Sequence, residues 1–252
     1  MNDYFFKNVL IISDNRLQCT RILRLIKRIG LEKSVNFTWA CSKYSSPEGF
    51  TEDTGVNFCI VDLKKAGDVD SIIARFPLVI SVHCKQLFPE ILLSSVMCIN
   101  IHPGYNPDNR GWYPQVFSII NNTVIGATIH IIDNELDHGP VIDRVQVPRY
   151  GWDTSKEIYE RVLEAELALF EKNIDKILQN RQEPYFPEGE GNLYLKRDFN
   201  ALCNLDLGEV NTFQFFLDKL RALSHGDFKN AYFIDPQTRK KIFVNIRLIP
   251  EE

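Results

Sequence analysis

Apolar and polar positions divide the chain into short apolar runs separated by stretches of helical spacing. Asn8 to Ser13 carries an unbroken Val-Leu-Ile-Ile and predicts a buried strand. Ser13-Asp14-Asn15 can cap a helix, in which Ile22, Leu25, Ile26 and Ile29 recur at helical spacing until Gly30. Val35 to Cys41 predicts a second strand. Residues 42–55, rich in Ser, Pro, Gly, Glu and Thr, are expected to form an exposed loop. Asn57 to Asp62 predicts a third strand, 66–75 a helix and Leu78 to Val82 a fourth strand. Alternating strand and helix argues for a Rossmann-like α/β fold, a mostly parallel sheet with helices on both faces.

Val96 to Ile101 is another apolar run of strand length, stopped by Pro103-Gly104. Asn100 and His102 lie two apart, so a strand points both side chains to one face. The loop beyond holds Pro103, Gly104, Pro107, Arg110 and Gly111. Val124 to Ile132 alternates as a strand and runs into Asp133-Asn-Glu-Leu-Asp-His-Gly139; Pro140 to Val147 is strand-like again. Asn100, His102 and Asp137 at neighbouring strand ends can make an acyl-transfer site. The imidazole can move a proton, the amide can hold a developing oxyanion, and the carboxylate can orient or charge the imidazole. Spacing alone fits two ordinary turns as well.

Thr154 and Glu157 form a capping-box pattern. The helix they open is expected to reach about Asn180, with Ile158, Val162, Ala165, Leu169, Ile174 and Ile177 as its apolar stripe. Residues 181–192 read as a linker. Beyond it, Thr212 caps a helix carrying Phe213, Phe216, Leu217 and Leu220, and a hairpin follows from Asn230–Ile234 and Lys240–Leu248 around Asp235-Pro-Gln-Thr238. A lone hairpin is marginal in water, so this one must pack on the main domain or on a partner chain. The expected division is a main domain at 1–180, a linker at 181–192 and a small C-terminal region at 193–252.

Composition narrows the function classes. The 252 residues, 44% hydrophobic and 25% charged, suffice for one sizeable core and a small appendage. A net charge of −4 gives no sign of a nucleic-acid surface. The six cysteines at 19, 41, 59, 84, 98 and 203 form no Cys-x-x-Cys pair and no metal-ligand spacing, so buried free thiols and no metal are expected. The N-terminal run lacks a signal-peptide pattern, and no apolar run approaches the roughly 20 residues of a membrane span. The expectation is a reduced, cytoplasmic, soluble protein without a membrane partner. The first strand–helix turn, Ile12-Ser-Asp-Asn-Arg-Leu17, lacks the glycines that let a backbone approach a dinucleotide pyrophosphate.

Four runs then carry a resemblance. Asn100-Ile-His-Pro-Gly104, Asn109-Arg-Gly111, Gly126-Ala-Thr-Ile-His130 and Leu136-Asp-His-Gly-Pro-Val-Ile142, in that order, resemble the formyltransferases that use 10-formyltetrahydrofolate. Ser81-Val-His-Cys-Lys-Gln-Leu-Phe-Pro89, the segment 109–117, and Leu220 to Phe233 are similar to the branch acting on dTDP-linked amino sugars. The resemblance covers most of the chain and is most specific over 79–147.

It implies the formyltransferase fold, Asn100, His102 and Asp137 as catalytic trio, and N10-formyltetrahydrofolate as cosubstrate without a metal. It implies a dTDP-amino sugar as acceptor, with dTDP-4-amino-4,6-dideoxy-D-glucose the nearest match, a homodimer, and a product destined for surface polysaccharide (O-antigen). On this resemblance Lys85 is the cation for the nucleotide pyrophosphate, with His83 and Gln86 beside it as substrate contacts. The residues alone fit a solvated turn slightly better. Leu87, Phe88, Pro89 and Asp133 would border the folate. Arg197, Arg221 and Tyr232 are either nucleotide contacts or surface and packing residues. Trp112 and Tyr113 are expected to pack, Arg110 to brace its loop, and His130 to be structural. Other readings are a different acceptor (a 3-amino dTDP-sugar, another nucleotide sugar, glycinamide ribonucleotide, methionyl-tRNA), a hydrolase passing the formyl group to water, and a non-catalytic folate- or nucleotide-binding module.

Overall fold

The computed structural model describes residues 4–251. Residues 1–3, the start of the segment read for a leader, and residue 252, the end of the C-terminal region, lie outside the described residues. In chain order the elements are β1 (Asn8–Ser13), α1 (Arg16–Arg28), β2 (Asn36–Ser42), α2 (Pro47–Thr54), β3 (Cys59–Val61), α3 (Ala66–Arg75), β4 (Leu78–Val82), α4 (Glu90–Ser95), β5 (Met97–His102) and β6 (Arg110–Gly111). There follow α5 (Pro114–Ile120), β7 (Gly126–Ile131), β8 (Val141–Gln146), α6 (Ser155–Leu178), β9 (Leu193–Tyr194), α7 (Lys196–Cys203), α8 (Phe213–Leu223), β10 (Tyr232–Ile234) and β11 (Lys241–Phe243).

Seven strands form one sheet in the order β3-β2-β1-β4-β5-β7-β8. The first five pair in parallel, and β7 and β8 add antiparallel strands at one edge. The continuous apolar runs of β1 and β4 have this cause: helices cover both faces, so every side chain must be apolar or satisfied. Val9 and Ile11 enter one apolar cluster with Ile80 and Ile99, whereas Leu10 and Ile12 enter the other with Val79 and Cys98. The period-2 alternation of a strand places them so.

Caps fix the helices that flank the site. Asn15 accepts the Gln18 N–H at the start of α1, and Thr154 and Glu157 close a reciprocal capping box on α6. The expected loop at 42–55 contains α2. Pro47 opens it at a position where its missing N–H is harmless, and Phe50 is buried against Phe58. The helices α4 and α7 carry too few turns to raise a periodic signal, and β11 ends well short of Leu248.

The C-terminal region does not stand apart. Phe199, Ala222, Leu223 and Ala231 belong to the same apolar cluster as the sheet. Residues 181–192 are bound along their length: Tyr185 pairs with Val141, and the Asn192 carbonyl accepts the Arg110 N–H. The carboxyl ends of the parallel strands, where ligands of open α/β sheets lie, open into one crevice.

Candidate active site

Asn100 and His102 leave β5 on one face, as their spacing predicts. Asn100 stands opposite His130 and His102 opposite Thr128 on the antiparallel β7. The loop after His102 is held from several sides. Thr128 Oγ1 donates to the Gly104 carbonyl at 2.7 Å, and Asn106 Nδ2 donates to the Asp137 carbonyl at 2.8 Å. Arg110 is buried; its Nε donates to the Leu136 carbonyl at 3.0 Å and its Nη2 reaches Glu135 at 3.2 Å. It braces the loop that carries Asp137.

Asp137 has a left-handed backbone, φ 49°, which turns its carboxylate back toward β5. Its Oδ1 accepts Asn100 Nδ2 at 3.0 Å and its Oδ2 accepts the Gly111 N–H at 3.0 Å. His102 Nδ1 is 3.5 Å from Asp137 Oδ2, and His130 Nε2 is 3.5 Å from Asp137 Oδ1. Burial alone would raise this carboxyl. The positive charge that His102 and His130 carry when protonated, together with the Gly111 N–H, outweighs burial and holds it below the ordinary carboxylate range.

Backbone carbonyls fix the tautomers of both histidines. His102 Nε2 lies 2.8 Å from the Asn109 carbonyl oxygen, which only accepts, so Nε2 carries the proton and Nδ1 the lone pair. His130 Nδ1 donates to the Ile131 carbonyl at 2.9 Å, which leaves Nε2 to accept the second Asn100 N–H at a longer 3.3 Å. Burial pushes the His102 imidazole down, only partly offset by Asp137 and the Asn109 carbonyl, so the ring is neutral near pH 7. Asn100 Oδ1 is buried without a hydrogen-bond partner.

These groups sit at one end of a crevice of about 750 Å³. His83, Lys85, Gln86 and Leu87 line it. His83 is wholly engaged by the protein: Asn15 Nδ2 donates to its Nδ1 at 3.1 Å, and its Nε2 donates to Glu166 Oε1 at 2.7 Å. The Gln86 side chain ties its loop to the end of β3 through Leu63 N and the Val61 carbonyl. The Lys85 N–H is held by Asp14, whose carboxylate also takes Ser42 and Ser45 inside the first strand–helix turn.

Six further candidates lie off the crevice lining. Phe88 packs on the second apolar cluster, and Pro89 opens α4. Asp133 pairs with His138 at 2.7 Å. Arg197 is exposed beside Asp198. Tyr232 lies on the hairpin under the Lys241 ammonium. Arg221 is off it too and buried, its guanidinium bound to Asp218 and to the carbonyls of Tyr150 and Asp153. Tyr113 packs on Phe199, and both Trp112 and Tyr113 line the crevice.

Sequence reasoning passed over the supporting role of Gly111, the place of His130, and the crevice wall made by Ser155, Tyr159, His225, Phe228 and Asn230. The period-2 pairing of β5 with an antiparallel β7 could have placed His130 beside Asn100. The wall residues come from segments far downstream in the chain, and Gly111 acts through its backbone, which spacing does not reveal. Among the described residues no group of three or more His, Cys, Asp or Glu is arranged to hold a metal ion, and no helix is long and apolar enough to cross a membrane.

Comparison with known proteins bears on this geometry. The family model described as "Formyl transferase" matches residues 62–174, and that described as "N-formyltransferase dimerization C-terminal domain" matches 198–250. A dTDP-4-amino-4,6-dideoxyglucose formyltransferase of Mycobacterium tuberculosis is 47% identical over 209 residues, covering 83% of this chain and 86% of that protein. A sugar N-formyltransferase from Shewanella superposes with a TM-score of 0.92 at 38% identity, over 97% of this chain and 99% of its own. A 4-N formyltransferase from Francisella tularensis superposes at 0.88 and 40% identity over the same shares. With this near full-length similarity, the chain belongs to the formyl transferase family, on its sugar N-formyltransferase branch.

Proposed function

We propose that the protein transfers the formyl group of N10-formyltetrahydrofolate to the amine of dTDP-4-amino-4,6-dideoxy-D-glucose, giving the formamido sugar and tetrahydrofolate. The convergence of Asn100, His102 and Asp137 in a crevice of about 750 Å³ carries this reading. The 47% identical relative of that name supports the acceptor.

The formyl donor supplies an already activated carbonyl carbon; the chain's own groups position it and move the proton. His102 Nδ1 holds the free lone pair and takes the proton of the attacking amine. The resulting imidazolium keeps Nε2–H on Asn109 and faces the Asp137 carboxylate. Asn100 has one N–H committed to Asp137; its second, weakly held by His130, donates to the oxygen of the tetrahedral adduct. The amine–carbon bond forms, the carbon–N10 bond breaks, and His102 returns the proton to the departing nitrogen. Asp137 stays ionised and orients both partners. Leu87, exposed at the crevice rim, offers an apolar edge to the folate, and Lys85 a cation to the pyrophosphate.

The catalytic domain of this reading is 1–180, with 181–192 as linker and 193–252 serving the nucleotide end of the crevice and a homodimer interface. The exposed Leu207, Val210, Phe213 and Ile249, and the dimerization model matched at 198–250, support the last point. The reaction is assigned to the cytoplasm, on a route to surface polysaccharide such as O-antigen.

The test mixes the protein with N10-formyltetrahydrofolate and amino sugars on dTDP, UDP and GDP carriers, following tetrahydrofolate release and product mass. Formylation of dTDP-4-amino-4,6-dideoxyglucose is expected. Tetrahydrofolate release without a sugar product would make the protein a hydrolase. Folate binding without turnover would make it a binding module.

A further inference from the structure

Four consecutive residues, His83 to Gln86, follow β4, and each is fastened to a different part of the protein. His83 is gripped by Asn15 at its Nδ1 and by Glu166 at its Nε2. Cys84 packs on the second apolar cluster. The Lys85 N–H donates to Asp14 Oδ2 at 2.7 Å, and the Gln86 side chain spans to the end of β3. One group is left over. The Lys85 side chain lines the crevice, and no described residue pairs with its ammonium.

His83 is the joint of this loop. Its backbone is left-handed, φ 54°, a sparsely populated region for residues other than glycine. Such a conformation persists only where its surroundings over-determine it. Here they act on both sides of the ring. Asn15 caps α1 through its Oδ1, so its Nδ2 is held at the helix start and donates to His83 Nδ1 at 3.1 Å. His83 Nε2 therefore carries the proton and donates to Glu166 Oε1 at 2.7 Å. Glu166 is fully buried on α6, and Gln18 of α1 donates to its other oxygen at 3.0 Å. The ring is thus clamped between α1 and α6, and the clamp sets the direction in which the chain leaves β4.

We propose that His83 is a positioning residue: the Asn15–His83–Glu166 clamp holds the left-handed joint that aims the Lys85 ammonium at the diphosphate of the acceptor. Lysine carries its charge on a flexible stem, and a loop fixed in advance reduces the ordering that binding must still impose. His83 itself makes no hydrogen bond to a ligand, because both ring nitrogens are committed inside the protein. The inference rests on the nucleotide-sugar reading above and goes beyond it by naming what directs the cation.

The test is calorimetric binding of dTDP to the full chain in a double-mutant cycle of His83→Ala and Lys85→Ala, with circular dichroism as the check of folding. Lys85→Ala is expected to weaken binding by about ten- to a hundredfold, the worth of one charge-assisted hydrogen bond. His83→Ala should cost about tenfold while Lys85 is present and nothing further once Lys85 is gone, since residues that act through one another do not add. A merely structural role would not produce that coupling. His83→Gln, whose amide can still donate to Glu166, should restore most of the affinity. If His83→Ala does not fold, His83→Asn takes its place in the cycle: asparagine accepts a left-handed backbone but is too short to reach Glu166. Wild-type affinity in the folded His83 variant, additive losses in the double variant, a His83→Gln as weak as His83→Ala, or no dTDP binding by wild-type protein would overturn the joint. Coupled losses of dTDP binding without formylation of any dTDP-amino sugar would instead sink the proposed reaction and leave the joint standing.

Discussion

His102 Nδ1 lies 3.5 Å from Asp137 Oδ2 while its Nε2 is tied to the Asn109 carbonyl 2.8 Å away. One ring nitrogen is thereby fixed as donor, and the other is left as a lone pair facing a carboxylate. A neutral imidazole here is a base in waiting: the proton it gains is placed against a negative charge.

Turnover is expected to fall on acidification as His102 gains its proton. Burial sets that transition below the ordinary 6.5, so the acidic limb of kcat/KM should lie under about pH 6.5. His102→Asn should lower kcat by about 100- to 10,000-fold. Steady-state kinetics across pH would show it, and near-normal turnover in His102→Asn would remove His102 from the mechanism.

Asn100→Ala takes away both the oxyanion donor and the N–H on Asp137 Oδ1. A loss of about 100- to 1,000-fold in kcat is expected, with a small change in KM for the sugar. An effect confined to KM would assign Asn100 to substrate binding instead.

Gly111 has φ 91°, and a Cβ there would run into the Tyr194 carbonyl oxygen. Its N–H also holds Asp137 Oδ2. Gly111→Ala should therefore part β6 from β9, lower Tm and reduce kcat together. A variant with lowered Tm and wild-type kcat would separate the turn from the chemistry.

Glu166 is fully buried and accepts His83 Nε2 at 2.7 Å and Gln18 Nε2 at 3.0 Å. Removing one partner of a buried charged network costs about 3–5 kcal/mol, the expected loss for Glu166→Ala in urea unfolding. Glu166→Gln keeps an acceptor and should cost clearly less. Equal losses would mean that packing, not hydrogen bonding, fixes His83.

Acid should destabilise the fold in two steps. His102 and His225 have lowered values when folded, burial being the main cause in each. Below about 6.5 the unfolded chain binds protons that these rings refuse, and stability falls. Asp137 is also lowered; its contribution is complete above the unfolded carboxyl value near 4 and is lost as pH drops below it. Tm measured from pH 8 to 4 should decline first below about 6.5. A flat profile over that range would contradict the burial of the two rings as neutral groups.

The sequence by itself determined the local architecture. Runs such as Val9–Ile12 and Leu78–Val82 can be buried on both faces only inside a covered parallel sheet, and Thr154 with Glu157 announces α6 because a cap is a local hydrogen-bond problem. Asn100 and His102 were legible as a pair because two residues of one strand share a face whatever the rest does. Asp137 joined them in the sequence through its place at a neighbouring strand end, and motif resemblance then singled out the trio. Only the tertiary structure decided the rest. Register across β5 and β7 put His130 beside Asn100. The Asn109 and Ser224 carbonyls chose the tautomers of His102 and His225, the latter through Ser155. Packing turned Arg221 inward to carbonyls seventy residues away. Those outcomes depend on which donors and acceptors meet across long stretches of chain, and spacing along the sequence carries no signal of that meeting.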